Sequence, residues 1–180
     1  KMKMIEIKEA NKKQISRIRR LYKTAFPVAE RKQWVKIEKQ LGGCTEVLSI
    51  MEDGKFRGLI INMLNDDIVL LDYFAVDEKY RGNGIGTEVL KAFRERYKGK
   101  RMELEIEVPE ENAPNNAQRL SRKGFYLRNG LKETGLAHIN PDGVKLALLA
   151  FDEPITHDEY MDTMRKSYGK KMAAKYIEIK

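Results

Sequence analysis

The chain has 180 residues, of which 42% are hydrophobic and 34% charged, with 35 Lys and Arg against 27 Asp and Glu. This composition is typical of a globular protein, and the length predicts a single domain over residues 1–180 with a sizeable core. The longest apolar run has six residues, too short to span a membrane, so we expect no membrane partner. A single cysteine and two histidines argue against an internal disulfide or a typical zinc site. We therefore expect a metal-free, cytoplasmic protein.

The net charge of +8 is spread along the whole chain, where Lys and Arg are interleaved with Glu and Asp. Most of these cations are interpreted as solvated faces. No recognition helix and no aromatic-basic stacking pattern accompanies them, so we expect no nucleic-acid partner. A positive protein does suit a small ligand that carries several phosphates.

The first half of the chain predicts one strand, two helices and then three consecutive strands. Residues 3–8 alternate as in a strand, and Asn11 with Gln14 forms a capping box that opens a helix ended by Pro27. A second helix ends at Gly42-Gly43. The next three strands form an antiparallel meander. They are predicted over residues 45–51, 56–64 and 68–76.

The second half predicts a β-α-β crossover and a final helix. Thr156 and Glu159 form a second capping box, from which the last helix runs to about residue 176. The whole pattern favours a mixed α/β fold, with a central mixed sheet of six or seven strands flanked by helices. The remaining predictions are helices over residues 86–98 and 115–123, and strands over residues 102–108, 134–139 and 144–151.

A glycine-rich segment, Arg81-Gly82-Asn83-Gly84-Ile85-Gly86, joins the third meander strand to a helix. Its glycines leave backbone N–H groups uncovered, and the helix N-terminus adds partial positive charge, so the segment predicts a cradle for phosphate. The dinucleotide fingerprint fails because Thr87 stands where it needs glycine, and no Gly-Lys-Ser/Thr completes a Walker A loop. A glycine-rich turn without a ligand is the alternative.

The same six residues match the R/Q-x-x-G-x-G/A signature and resemble the GNAT superfamily of N-acetyltransferases. Tyr73-Phe74-Ala75-Val76-Asp77 is similar to the family's strand before the pyrophosphate loop. Phe125-Tyr126-Leu127-Arg128-Asn129-Gly130-Leu131 is similar to its aromatic-Tyr motif, with Leu131 in place of Phe. The resemblance covers about residues 4–151. It implies a GNAT-like acyltransferase fold with a β-α-β coenzyme-binding core, beyond which the helix over residues 156–176 lies.

The resemblance also implies the chemistry: a primary amine attacks acetyl-CoA directly in a ternary complex, and coenzyme A is released. Arg119 stands where many members have Asn, so Arg119, Arg122 and Lys123 are candidates for the coenzyme phosphates, with exposed helix cations as the alternative. The implied pyrophosphate ligands are Arg81 and the backbone amides of Gly82, Asn83, Gly84, Ile85, Gly86 and Thr87. The implied partners of the pantetheine arm are the backbone groups of Phe74, Ala75 and Val76.

The candidates for general acid and general base in acetyl transfer are one tyrosine and two carboxylates. The resemblance implies that Tyr126 lies beside the thioester sulfur, where a phenol protonated at neutral pH suits a thiolate leaving group. Asp72 is the only ionisable residue on its face of an apolar strand, which makes it a candidate general base or a salt-bridged structural residue. Glu105 is the second candidate base. It shares a row with Glu103 and Glu107 that could equally bind a cation or be structural.

In this family the loop between the first two helices usually sets acceptor specificity, which implies substrate contacts for Phe26 and Glu30. Glu30 is consistent with an acidic pocket for a cationic amine, although helix capping explains it too. We expect a small-molecule or peptide amine as acceptor, and the assembly stays open between monomer and homodimer. The alternatives are a non-catalytic acyl-CoA-binding module and a basic nucleic-acid-binding domain. His138 is too isolated in the sequence to receive a role.

Overall fold

The computed structural model describes residues 3–179. These residues form a mixed α/β fold in which eight strands build one mixed sheet, flanked by six helices, and the predicted fold class is confirmed. The bounds in chain order are β1 (Ile5–Glu9), α1 (Lys12–Ala25), α2 (Trp34–Gln40), β2 (Thr45–Glu52), β3 (Lys55–Asn65), β4 (Ile68–Val76), α3 (Ile85–Arg96), β5 (Arg101–Glu107), α4 (Asn116–Arg128), β6 (Lys132–Ile139), β7 (Lys145–Ala150), α5 (His157–Tyr168), α6 (Lys170–Ala173) and β8 (Ile177–Ile179).

The chain divides into two compact units. The first runs up to Leu64 and includes Leu71–Lys98, and the second comprises Asn65–Leu70 and the residues from Gly99 onward. In the first unit β2 pairs antiparallel with both β1 and β3. In the second unit β7 pairs antiparallel with β5 and β6, and β6 pairs antiparallel with β8.

Helix α1 of the first unit begins as its sequence predicts. The Asn11 side chain accepts a hydrogen bond from the Gln14 backbone N–H at 2.9 Å, and the Gln14 side chain accepts one from the Asn11 N–H at 3.0 Å. Ile18 and Tyr22 are buried, because they recur at helical spacing on one face. That face packs in a core cluster with α2 and with inward-facing residues of β2, β3 and β4.

The C-terminal part of the second unit differs from the prediction. The Thr156 capping box opens α5 as expected, but the helix ends at Tyr168 and not near residue 176. Gly169 has a φ of 88° and breaks it, because that backbone conformation is incompatible with an α-helix. The short α6 and strand β8 follow, so the sheet has eight strands where six or seven were expected. Within residues 3–179 no helix has the length and apolarity to cross a bilayer.

Candidate active site

The glycine-rich segment forms an open cradle at the start of α3. Gly84 is the N-cap in the left-handed conformation, with φ 74° and ψ 8°, and provides no capping side chain. The first N–H groups of a helix have no partner within it, so these amides stay available. Gly82 also has a positive φ, of 84°, and a Cβ built on either glycine meets no protein atom within 4 Å. The two glycines are therefore exposed and uncrowded, and the segment is suited to a phosphate group.

Arg81 holds this loop to the end of β4. Its Nε donates a hydrogen bond to the Val76 carbonyl oxygen at 2.8 Å, while the residue remains exposed. The Asp77 side chain accepts from the Lys79 N–H at 3.1 Å and caps the 3₁₀ turn Glu78–Tyr80. The Arg81 side chain thus takes one of the backbone groups that were predicted to meet the pantetheine arm.

The two faces of β4 have different environments. Asp72, Phe74 and Val76 are half-buried on one face, and Tyr73 and Ala75 belong to the core cluster on the other. This alternation confirms the predicted strand parity.

The backbone of β3 approaches this strand very closely at Gly58. A Cβ built on Gly58 would lie 2.2 Å from the Ala75 carbonyl oxygen, and only glycine avoids that overlap. Sequence reasoning missed Gly58, because a strand glycine alone does not say which backbone it faces.

Asp72 has a buried cation in its surroundings. Lys32 is only 7% exposed, and burial lowers the pKa of its ammonium group while the Asp72 carboxylate raises it. The Lys32 Nζ also donates to Gln40 Oε1 at 3.1 Å. This charge relation fits the structural alternative for Asp72, and its half-buried place on the strand face keeps the role of base available.

The loop between α1 and α2 is fixed to β4 by tyrosine hydroxyls. Tyr73 donates to the Glu30 carbonyl oxygen at 2.7 Å and accepts from the Lys32 N–H at 2.9 Å. Tyr22 donates to the Lys32 carbonyl oxygen at 2.7 Å. The Phe26 ring packs on Tyr73, with centroids 5.0 Å apart. The predicted acceptor loop is thereby held by hydrogen bonds and ring contacts.

In the second unit, Tyr126 lies near the end of α4. The residue is 9% exposed, and its hydroxyl makes no hydrogen bond to any residue from 3 to 179. Burial raises the pKa of the phenol to about 12, and the positive charge of Arg122 opposes the shift. Tyr126 therefore keeps its proton at neutral pH, and its hydroxyl is available to a ligand.

The row of acids on β5 is divided among different partners. Glu103 is 1% exposed, its Oε2 accepts from the Ile155 N–H at 2.7 Å, and burial raises its pKa to about 7. Glu105 accepts from the Tyr160 hydroxyl of α5 at 2.8 Å. Across the described residues no three His, Cys, Asp or Glu side chains come together as a metal site.

The cations of α4 are also engaged. Arg119 is buried, and its guanidinium pairs with Glu107 at 2.8 Å and donates to the Val108 carbonyl oxygen at 3.0 Å. Lys123 pairs with Glu133 at 2.6 Å. The charges of these two predicted phosphate ligands are already balanced by acids of the protein.

Sequence reasoning missed a pair of histidines that the fold brings together. His138 Nε2 lies 3.0 Å from His157 Nδ1, and the His138 ring stacks on Tyr160 with centroids 4.2 Å apart. Burial and the nearby His157 lower the pKa of His138 to about 4, so it stays neutral. Nothing local in the sequence pairs a residue of β6 with one of α5.

The sequence matches the family model described as the acetyltransferase (GNAT) family over residues 15–125, more than half of the chain. Among curated proteins, none matches the sequence.

Solved structures share the fold. A Bacteroides thetaiotaomicron protein classed as a GNAT-family acetyltransferase superposes with a TM-score of 0.74 at 18% identity, over 93% of this chain and 98% of that one. The ribosomal-protein-S18-alanine N-acetyltransferase of Escherichia coli superposes with a TM-score of 0.61 at 18% identity, over 86% of this chain and 98% of that one. Arabidopsis thaliana Naa50, bound to a bisubstrate analogue of coenzyme A and a peptide, superposes with a TM-score of 0.60 at 16% identity, over 83% of this chain and 99% of that one. The cradle, the fold and the family match agree, and the chain belongs to the acetyltransferase (GNAT) family.

Proposed function

We propose that this chain is an N-acetyltransferase that transfers the acetyl group of acetyl-CoA to a primary amine. The observation that carries the proposal is the cradle at the start of α3, where two glycines with positive φ leave helix amides uncovered. The coenzyme, when bound, supplies an acetyl thioester that an amine nitrogen can attack directly. The backbone amides of residues 82–87 hold its pyrophosphate, and the Arg81 guanidinium adds positive charge beside them.

The acceptor amine must lose a proton as the new bond forms. Asp72 is our first candidate to accept it, since the carboxylate lies on the half-buried face of β4 with Phe74 and Val76. Glu105 is the second, and the hydrogen bond from Tyr160 fixes one of its oxygens. Glu103 is less suited, because the residue is only 1% exposed and its Oε2 is taken by the Ile155 N–H.

Tyr126 donates the proton that the departing sulfur needs. Its hydroxyl has no hydrogen-bond partner within residues 3–179, and its pKa of about 12 keeps the phenol protonated at neutral pH. The phenol O–H shares its proton with the sulfur while the C–S bond breaks, which stabilises the negative charge that develops there, and the proton that the amine releases restores the balance. Phe26 and Glu30, on the loop held by Tyr73, form one wall of the acceptor site.

Release of free thiol from acetyl-CoA, measured with a panel of amines, tests the function. Folds similar to this one belong to enzymes named for a ribosomal-protein alanine and for aminoglycosides, so the panel should include peptide N-termini and aminoglycosides. We expect thiol release that depends on one amine class and equals the amount of acetylated product. Coenzyme A binding without turnover on any amine would instead favour the non-catalytic acyl-CoA-binding module.

A further inference from the structure

We propose that Arg31 binds a carboxylate of the acceptor, so that the acceptor carries a negative charge besides its amine. Arg31 lies in the loop between α1 and α2, with Glu30 before it and Lys32 after it. This inference rests on the proposed function and names the chemical class of its acceptor. The charge of such an acceptor is opposite to that of the cationic amine that Glu30 suggested in the sequence.

The Arg31 guanidinium includes a donor that the protein does not use. The residue is half-buried, and its Nε is a buried nitrogen with no hydrogen-bond acceptor within residues 3–179. The guanidinium also forms no ion pair with an acid of that range. A buried N–H of a charged group is costly to leave unbonded, because water has been removed from it and no acceptor replaces the water. An oxygen of a ligand would restore the missing hydrogen bond.

The backbone on both sides of Arg31 is held in place. The Tyr73 hydroxyl donates to the Glu30 carbonyl oxygen at 2.7 Å and accepts from the Lys32 N–H at 2.9 Å. The Arg31 N–H donates to the Val28 carbonyl oxygen at 3.3 Å. Arg31 is therefore positioned before a ligand arrives, and little conformational entropy is lost when its side chain binds one.

Arg31 and the proposed base act on the same buried hydroxyl. Tyr22 is 1% exposed, and burial raises the pKa of its phenol to about 12. The Asp72 carboxylate adds to this rise, and the Arg31 guanidinium opposes it. The charge of Arg31 is thus felt inside the loop, on the side where Asp72 lies, and not only in the solvent.

The charges around this hydroxyl leave one positive charge over. Burial lowers the pKa of the Lys32 ammonium and the Asp72 carboxylate opposes the shift, so these two groups offset each other. Glu30 is exposed, and water and salt screen its charge. The guanidinium of Arg31 remains. One carboxylate balances it, and the two oxygens of a carboxylate match the donors of a guanidinium. An acceptor with no acid group would leave this charge without a counterion.

Rates of thiol release from acetyl-CoA with matched acceptors test the proposal. The first set compares short amino acids with their carboxamides. The second set compares two tetrapeptides, with a free N-terminus and an amidated C-terminus, that differ only in Glu or Gln at the second position. With kcat/KM expressed per unprotonated amine, we expect the carboxylate acceptor to be at least about 10-fold better in one of the sets. That set shows whether the carboxylate belongs to an amino acid or to an acidic peptide.

Arg31→Gln tests whether Arg31 is the source of the preference. In this variant kcat/KM should fall at least about 10-fold for the preferred carboxylate acceptor and less than about twofold for its uncharged counterpart. Arg19→Gln removes the same charge from an exposed position on α1 and should keep the preference. Thermal unfolding checks that both variants are folded.

Equal or faster rates with the uncharged acceptor in both sets overturn the proposal, and this wild-type comparison decides even if Arg31→Gln does not fold. A preference that survives in Arg31→Gln also overturns it. Loss of the preference in Arg19→Gln does so too, because long-range charge would then explain the effect. If no amine supports turnover, the proposed function itself fails, and that result is distinct from turnover without discrimination.

Discussion

Tyr126→Phe separates the chemistry of the phenol from its packing. The substitution removes one oxygen and keeps a ring that is 9% exposed. Because that hydroxyl has no hydrogen-bond partner within residues 3–179, the free energy of unfolding should fall by less than about 1 kcal/mol. General acid catalysis commonly contributes about 10²–10⁴-fold, so kcat should fall by about that factor, which corresponds to a barrier higher by roughly 3–5 kcal/mol.

Thiol release with a good amine acceptor measures kcat, and calorimetry measures the affinity for coenzyme A, which should hardly change. An acetyl thioester of a more acidic thiol needs less protonation, so the variant should be impaired less on that substrate. Burial raises the pKa of the phenol to about 12. Deprotonation of Tyr126 should therefore not limit the wild-type rate between about pH 7 and 9.

Tyr97→Phe is the matched control. The Tyr97 hydroxyl accepts from Asn62 at 2.9 Å and donates to Glu46 at 2.6 Å, so its loss should cost about 1–3 kcal/mol of stability. The turnover of the folded Tyr97→Phe protein should stay near that of the wild type. If Tyr126→Phe retains kcat within about twofold, or loses coenzyme affinity and turnover alike on every thioester, Tyr126 is not the proton donor.

Three further outcomes test other parts of the molecule. Asp72→Asn should lower kcat and remove the acidic limb of the pH–rate profile; an unchanged limb would transfer the role of base to Glu105. Burial raises the pKa of Glu103 from 4.5 to about 7. The fold's preference for the protonated acid therefore contributes to the free energy of unfolding in full below about pH 4.5, and that contribution is lost as the pH rises through about 7. In urea titrations the free energy of unfolding of Glu103→Gln, relative to that of the wild type, should therefore rise by about 3 kcal/mol between about pH 4 and 8. A difference between the two proteins that does not change with pH would contradict the raised pKa of Glu103. Gly58→Ala should destabilise by more than about 2 kcal/mol because its Cβ would lie 2.2 Å from a backbone oxygen, whereas Gly43→Ala, whose closest contact is 3.5 Å, should be tolerated.

The sequence predicted those helix starts and turns that depend on residues close together along the chain. The capping boxes at Asn11 and Thr156 involve residues three positions apart, so they could be read before any tertiary contact was known. The glycine pattern before α3 likewise depends on the backbone freedom of Gly82 and Gly84. The break at Gly169 was missed because the apolar spacing of α5 continues past it.

The partners of the polar residues could not be predicted, because they depend on contacts that are distant in the sequence. Glu103, Glu105 and Glu107 look equivalent on β5, yet the Ile155 N–H, the Tyr160 hydroxyl and the Arg119 guanidinium engage them separately. The ion pair of Arg119 with Glu107 could not be predicted either. Which cations of a basic chain are available to a ligand is a property of the fold.

Binding of coenzyme A to the wild type and to Gly84→Val tests the central claim most directly. The valine side chain would cover the amides at the start of α3 and strain a backbone with φ 74°. Gly42→Val imposes a similar strain, at φ 81°, on a turn where a Cβ also meets no atom within 4 Å, and it serves as the control. Calorimetry should show coenzyme binding by the wild type and by Gly42→Val, and affinity at least about 10-fold weaker in Gly84→Val. Unchanged affinity in a folded Gly84→Val protein, or no binding by the wild type, would contradict the assignment of the cradle to the coenzyme pyrophosphate.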